Sequence, residues 1–245
     1  MPGLGIVIPR LGPGEGPVVP VELHSYGLSG ATHRYAGSRL VGVMGNIVNA
    51  WDDAIGDHHA VRETSQLIYA TGPLGTDLAV STPNQVVSAS INQSLQSPIL
   101  DTTTKTTAIV YYSGAPASVA CRLFVLNGLG YTISRAANGN PQMNNLAGGG
   151  NTAGGGASAV GWHLLIASAD GVSEYKFNWD GLVFTGVYTP AAIPASTAGN
   201  TILNSSGTAA INVAIAEIIT FPTVLSQADR ALMRTALKAH YPVLP

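Results

Sequence analysis

The stretch Val213-Ala214-Ile215-Ala216-Glu217-Ile218-Ile219-Thr220-Phe221-Pro222-Thr223-Val224-Leu225-Ser226-Gln227-Ala228-Asp229-Arg230 decides the fold. Its first part alternates with period two, which predicts a strand from Asn212 to Phe221. In that alternation Glu217 falls in phase with Val213, Ile215, Ile219 and Phe221, so a carboxylate stands on an apolar face and needs a partner. The candidates are Arg230 or Arg234 on the segment that follows at once, or backbone N–H groups near a helix start, which favour an anion. A catalytic acid is the functional alternative. Ser226 with Asp229 three residues on is a near relative of the serine capping box, and it opens a helix over Gln227 to His240 that Pro242 stops. Ala228, Ala231, Leu232, Thr235, Ala236 and Ala239 share one side of that helix, a small-residue face suited to lying close against a sheet.

Upstream, from about residue 38 to 221, short apolar or alternating runs are separated by Gly, Asn, Pro and Ser clusters, the pattern of many antiparallel strands. Strands are predicted at Arg39 to Met44, Ile47 to Asp52, Leu78 to Val80, Thr106 to Tyr112, Val119 to Leu126, Trp162 to Ala169 and Ser173 to Trp179. The last of these is the clearest. Tyr175, Phe177 and Trp179 share one face, and Glu174, Lys176, Asn178 and Asp180 share the wet one. Asp170-Gly171 before it is a hairpin-turn dipeptide. The region from Ser81 to Lys105 is polar and weakly patterned. Residues 1–23 differ from everything after them. Pro and Gly recur there often enough to deny helix and central strand, leaving an extended arm that carries the apolar triplet Ile6-Val7-Ile8 and is expected to dock on its own domain or on a neighbouring subunit. The expected organisation is therefore the arm at 1–23 followed by a single domain at 24–245.

Composition narrows the function. Of 245 residues, 11 are basic and 13 acidic, so charged residues make up only 10%, against roughly 25% in an average domain. The hydrophobic share of 46% excludes disorder. Eight Arg and three Lys, scattered singly, form no stripe for nucleic acid. The chain shows no apolar run of about 18 residues for a membrane and no basic leader, so a soluble protein without membrane insertion is expected. Cys121 stands alone in an alternating run and reads as a core residue, so no disulfide framework holds the fold. Residues 136–169 and 181–216 contain no Asp, Glu, Lys or Arg, and such surfaces suit permanent contacts.

Chemistry is sparse. A glycanase needs two carboxylates about 5–10 Å apart across a groove; Glu174 and Asp180 share a predicted face, but Lys176 between them reads as a solvated surface. Asp52-Asp53-Ala54-Ile55-Gly56-Asp57-His58-His59 is the densest set of potential ligands, read as a polar loop with no metal assigned. His163 beside Trp162 reads as a packed or edge residue. Gly148 to Gly156 lacks the ending of a phosphate cradle. Candidate glycan contacts are Asn140 and Asn144 in an amide-rich loop, with Trp179 and Tyr188 as aromatic faces. No catalytic residue and no cofactor is expected.

Three segments carry a family resemblance. The closing stretch, with Leu237-Lys238-Ala239-His240-Tyr241-Pro242, resembles the final strand, helix start and "K-x-Y" ending of the concanavalin A-like (laminin-G-type) jelly-roll superfamily, of the kind found in tailed-bacteriophage virion proteins. Gly161-Trp162-His163-Leu164-Leu165-Ile166 with Asp170-Gly171 and Tyr175 to Gly181 is similar to its "W-h-h-h…D-G" hairpin and following "N-G" turn, with Asp180-Gly181 in place of Asn-Gly. Val48-Asn49-Ala50-Trp51-Asp52-Asp53 with Gly56 and His59-Ala60 resembles an early "W-x-D" segment that here lacks its usual Ser. The resemblance implies an all-β, antiparallel two-sheet jelly-roll sandwich with one C-terminal helix, to which the residues themselves add the extended N-terminal arm and a structural pairing of Glu217, Arg230, Ser226 and Asp229. It also implies a non-enzymatic structural protein of a bacteriophage virion: a tail fibre, appendage or capsid decoration subunit. Its partners would then be itself, as a homo-oligomer expected by analogy to be a trimer, and other virion proteins. The alternatives are a carbohydrate-binding adhesin module for host surface glycan, and a glycan-degrading enzyme.

Overall fold

The computed structural model describes residues 28–56, 59–62, 67–82, 93–97, 102, 104–114, 120–126, 129, 131–137, 139–145, 152–153, 159–170, 174–187, 200–205 and 212–245. The arm with Ile6, Val7 and Ile8 lies outside them, as do Tyr188, Asp57, His58 and most of the Gly148 to Gly156 stretch. The described strands form two antiparallel sheets of eight strands each. In the first, β14 (Leu182–Val187), β13 (Glu174–Trp179), β12 (Gly161–Ala169), β7 (Thr106–Ser113), β16 (Val213–Phe221), β5 (Leu78–Ser81) and β4 (Ile68–Thr71) follow in that order, and β1 (His33–Ala36) pairs with the second half of β16. In the second the order is β11 (Thr152–Ala153), β10 (Pro141–Asn145), β9 (Tyr131–Arg135), β8 (Cys121–Leu126), β15 (Thr201–Ser205), β6 (Gln93–Gln96), β3 (Ala60–Arg62) and β2 (Ala50–Trp51). With the single long helix α1 (Gln227–His240) at the C-terminus, this is the expected all-β two-sheet sandwich.

Two cores hold it. Between the sheets lie Tyr35, Trp51, Leu95, Ile109, Tyr111, Cys121, Phe124, Ile133, Met143, Leu165, Phe177, Trp179 and Ile215. Fully burying a side chain such as Phe177 stabilises by roughly 1.5–3 kcal/mol. Trp51 is fully buried, and its indole N–H donates to the Ala36 carbonyl at 2.9 Å. The second core lies under α1 on the outer face of the first sheet, where Phe221, Leu225, Met233, Leu237, Tyr241 and Leu244 meet Ala79, Ala108, Ala214 and Ala216.

That second core corrects the reading of the helix. The span Gln227–His240 and the capping box are as expected, with Ser226 Oγ accepting from the Asp229 N–H at 3.1 Å. The buried side, however, carries Arg230, Met233 and Leu237, while Ala228, Ala231, Leu232 and Thr235 face solvent. Small residues do line the contact, but they belong to the sheet. Its alanines leave room for long helical side chains at spacings of three and four.

The phase of β16 is corrected as well. Its register against β7 shifts between Ile215 and Glu217, a bulge in which Ala216 is the extra residue. Val213 and Ile215 face the inter-sheet core, as does Ile218, whereas Ile219 and Phe221 face α1. Glu217 therefore shares the α1 side with Ile219 and Phe221 and not the side of Ile215.

Arg39 to Met44 is not a strand. A 3-10 turn at Gly37–Arg39 is followed by the exposed residues 41–47. The alternation of Val41 with Val43 misleads: the Tyr69 ring lies directly against Gly42 and its hydroxyl donates to the Val41 carbonyl at 2.9 Å. Asn46 and Val48 then bond along the backbone of β4 and Leu67.

Candidate functional site

A cleft opens at the end of the first sheet. A depression of about 340 Å³ is lined by residues 159–163, Trp179, Asp180, Leu182, Val243 and Pro245. The strand pattern explains His163. On β12 it lies in phase with Leu165 and Ala167, so the imidazole points between the sheets, with ring centroids 5.5 Å from Tyr111 and 5.8 Å from Trp179. Its Nδ1 meets Asp180 Oδ2 at 2.6 Å and its Nε2 meets the Ala159 carbonyl at 2.8 Å. A carboxylate and a carbonyl are both acceptors, so both ring nitrogens are satisfied together only in the imidazolium. Burial alone pushes this pKa down, but the Asp180 carboxylate and the Ala159 carbonyl outweigh it and hold it above the ordinary histidine value.

Asp180 is placed by the turn. Trp179 pairs with Leu182, leaving the two-residue loop Asp180-Gly181 with φ of 48° and 91°, both left-handed, as a type I′ hairpin requires. This confirms the Asp-Gly pair as a turn, and it moves Asp180 off the wet face of β13. Besides His163, its Oδ1 accepts from the Leu164 N–H at 2.9 Å. Arg234 of α1 donates to the Asp180 carbonyl at 3.1 Å and to the Pro245 carbonyl at 3.3 Å, tying turn, helix and C-terminal residues together. A Cβ at Gly181 would stand 2.6 Å from the Arg234 guanidinium carbon.

The other candidates have structural partners. Glu217, 1% exposed, receives Arg34 Nε at 2.5 Å and the Tyr241 hydroxyl at 2.6 Å. Arg34 is two residues from Ala36, which stands opposite Glu217 in the β1 register. Arg230 donates to the Leu225 carbonyl at 2.5 Å. In the loop after β2, Asp53 Oδ2 meets His33 Nδ1 at 2.8 Å, and Oδ1 accepts from the N–H groups of Arg34 and Ile55. Burial pushes this carboxyl up, but the His33 bond and the backbone donors outweigh it and leave the pKa below the ordinary aspartate value. Among the described residues no group of three or more His, Cys, Asp or Glu is arranged to hold a metal ion. Cys121 is fully buried, its thiol pushed up to about 12 by burial.

The candidate glycan contacts do not converge. Asn140 and Asn144 belong to the second sheet, Asn140 buried at the β9–β10 turn and Asn144 half-buried on β10. Asn144 is adjacent to Met143, which points into the core, so Asn144 faces outward. Trp179 belongs to the first sheet and faces inward. The His163–Asp180 pair is not among the candidates that spacing alone singles out. The signal was there: an imidazole in phase with Leu165 and Ala167 needs a partner, by the argument applied to Glu217.

No protein-family model and no curated protein matches the sequence. Among solved structures, the chain is similar to Trypanosoma rangeli sialidase in complex with sialic acid, with a TM-score of 0.56 and 13% identity over 95% of this chain and 35% of that one. It is similar to the botulinum neurotoxin type G receptor-binding domain, with a TM-score of 0.57 and 10% identity over 86% of this chain and 52% of that one. A third is the binding domain of botulinum neurotoxin DC in complex with SialylT, with a TM-score of 0.56 and 11% identity over 84% of this chain and 51% of that one. The chain thus spans between about a third and about half of the length of these proteins. At such identities the likeness establishes a jelly-roll-like β-sandwich and carries no activity with it. It does not bear on the phage setting.

Proposed function

We propose that the chain is a non-catalytic carbohydrate-binding β-sandwich module that recognises a surface glycan. The observation that carries this reading is the open cleft, whose lining brings the half-buried Trp162 and the apolar residues Val160, Leu182 and Val243 together with Asp180. Its volume of about 340 Å³ falls in the range of small-ligand sites. A sugar presents an apolar C–H face and a rim of hydroxyls. Trp162 suits the first, while Asp180, fixed by His163 and Leu164, keeps acceptor capacity for the second. Non-catalytic belongs to the same proposal. Asp180 is the one acidic side chain among the described cleft residues, and glycoside hydrolysis needs two. The structural neighbours support the reading: the sialidase is in complex with sialic acid, a botulinum neurotoxin binding domain is in complex with SialylT, and cell entry of botulinum neurotoxin type C depends on interaction with two ganglioside molecules. The virion setting rests on the sequence resemblance; within it the module would be the host-glycan adhesin of a tail fibre, appendage or capsid decoration.

The test is an array of sialylated and neutral glycans, followed by calorimetry on Trp162→Ala and Asp180→Asn. At least one glycan class should bind, and each variant should weaken it about tenfold, corresponding to about 1.4 kcal/mol. No binding, binding untouched in both folded variants, or release of reducing sugar would each refute the proposal.

A further inference from the structure

Every open sheet ends in strands whose outer N–H and C=O groups lack a sheet partner, and proteins blunt such edges with charge, proline, bulges, brevity or a covering segment. Most edges among the described strands are blunted in this way. The edge β4 is covered by residues 45–48, with Gly45 N–H bonded to the Tyr69 carbonyl, Tyr69 N–H to the Asn46 carbonyl and Val48 N–H to the Leu67 carbonyl. Beside β1, Tyr35 bridges Asp53 and Ala54 N–H bonds to the Arg34 carbonyl. In the second sheet the edges β2 and β11 are two residues each. Among the described strands the exception is β14. Leu182-Val183-Phe184-Thr185-Gly186-Val187 is six residues long, carries no charge and no proline, and keeps an unbroken register with β13. No strand pairs with its other side among the described residues. Leu182 and Val183 are 59% and 51% exposed.

We propose that β14 is a homodimer interface, in which β14 of a second copy pairs with it antiparallel about a two-fold axis at Thr185 and joins the two first sheets into one. The register selects that axis. In a two-residue hairpin the closing pair, here Trp179 and Leu182, is hydrogen-bonded, so Leu182, Phe184 and Gly186 bond inward and Val183, Thr185 and Val187 direct N–H and C=O outward. Centring on Thr185 matches every outward group: Val183 to Val187, Thr185 to itself, Val187 to Val183. The occupant is a second copy because the strand is its own complement. No like charges are set opposite one another, and the threonine pair on the axis is a favourable cross-strand pair. A charged or proline-bearing partner strand would find nothing on β14 to answer it. Leu182, which lines the cleft, lies at the rim of this interface, so the partner strand runs beside the cleft. A two-fold pair also replaces the trimer expected by analogy.

Light scattering on the full chain at tens of micromolar should give twice the 25.1 kDa chain mass. Thr185→Pro removes one outward N–H, which an edge strand tolerates within the monomer, and Val183→Lys places a charge on the edge without touching the backbone. Both should shift the mass to that of the monomer with the circular dichroism unchanged. Thr185→Cys should give a covalent dimer with a short thiol-to-thiol crosslinker, since Cys121 is fully buried and unreactive. A monomeric or trimeric wild type overturns the proposal. So does a dimer that survives both edge variants and fails to crosslink through residue 185.

Discussion

Asp180→Asn removes one charge from the cleft and leaves its shape. Asn tolerates the left-handed φ of 48°, and Asn-Gly is a favoured pair for this turn. Its Oδ1 keeps the Leu164 N–H, and its Nδ2 can donate to His163 Nδ1, with the neutral imidazole giving its Nε2 proton to the Ala159 carbonyl. Every hydrogen bond survives, and only the charge assistance is lost. Charge-assisted bonds exceed neutral ones by about 1–1.5 kcal/mol, and screening through the open cleft brings this to about 1 kcal/mol. The sign follows from the raised pKa of His163. A raised folded-state value contributes stability that is fully present below about pH 6.5, the unfolded value, and is lost as pH rises through the folded value. At pH 5.5 the variant should therefore melt about 2–4 °C below wild type, and by pH 9 the two curves should meet. Scanning calorimetry across that range gives the gap, and proton NMR of the imidazole C–H groups gives the titration. In wild type His163 should titrate above the ordinary histidine value, and in the variant burial should carry it below. A gap that stays constant from pH 5.5 to 9, or a wild-type His163 that titrates below 6.5, would refute the reasoning.

Two further outcomes follow from the other buried acids. Glu217→Gln keeps an acceptor for Tyr241 but removes the charge that faces Arg34, and should cost about 2–4 kcal/mol, since one half of a mostly buried pair remains; a melting temperature within a degree of wild type would show that this pairing does not hold the C-terminal end to β1. Asp53, whose pKa is depressed, contributes stability present above about pH 3.8 that is lost as pH falls through the folded value. In Asp53→Asn the decline of melting temperature between pH 4 and pH 2 should flatten, and an unchanged acid limb would count against that role.

What could be read in advance depended on whether the signal was local. The helix ends were legible because the Ser226–Asp229 box and Pro242 act within one turn. The core strands β7, β12 and β16 were legible because burial on both faces writes continuous apolar runs. Which side of α1 is buried was not legible, since both sides offer apolar residues and the choice is made by the alanines of β5, β7 and β16 across the contact. The phase of Glu217 failed for a similar reason: the bulge at Ala216 answers the register of β7, and nothing in β16 announces it. Short strands such as β3, β6 and β15 take their state from their neighbours. Arg34 as a partner of Glu217 lies 183 positions away in the chain, beyond the reach of any spacing argument.

The scarcity of charge has two causes that the sequence alone does not separate. Within residues 136–169, β12 lacks charge because it is a central strand, with Leu164 through Ala169 packed between the inter-sheet core and α1. A charge there would stand in one core or the other, so intermolecular contact is not needed to explain its absence. Residues 181–216 include β15, whose Thr201, Ile202 and Leu203 are buried, and the same reasoning covers them. It does not cover β14. There Leu182, Val183 and Thr185 are exposed at a sheet edge, where a lysine or glutamate would cost the monomer little and would guard against pairing. An uncharged stretch carries meaning for assembly only where the fold leaves it exposed. By that criterion β14 is, among the described strands of the two uncharged stretches, the one whose composition calls for a partner.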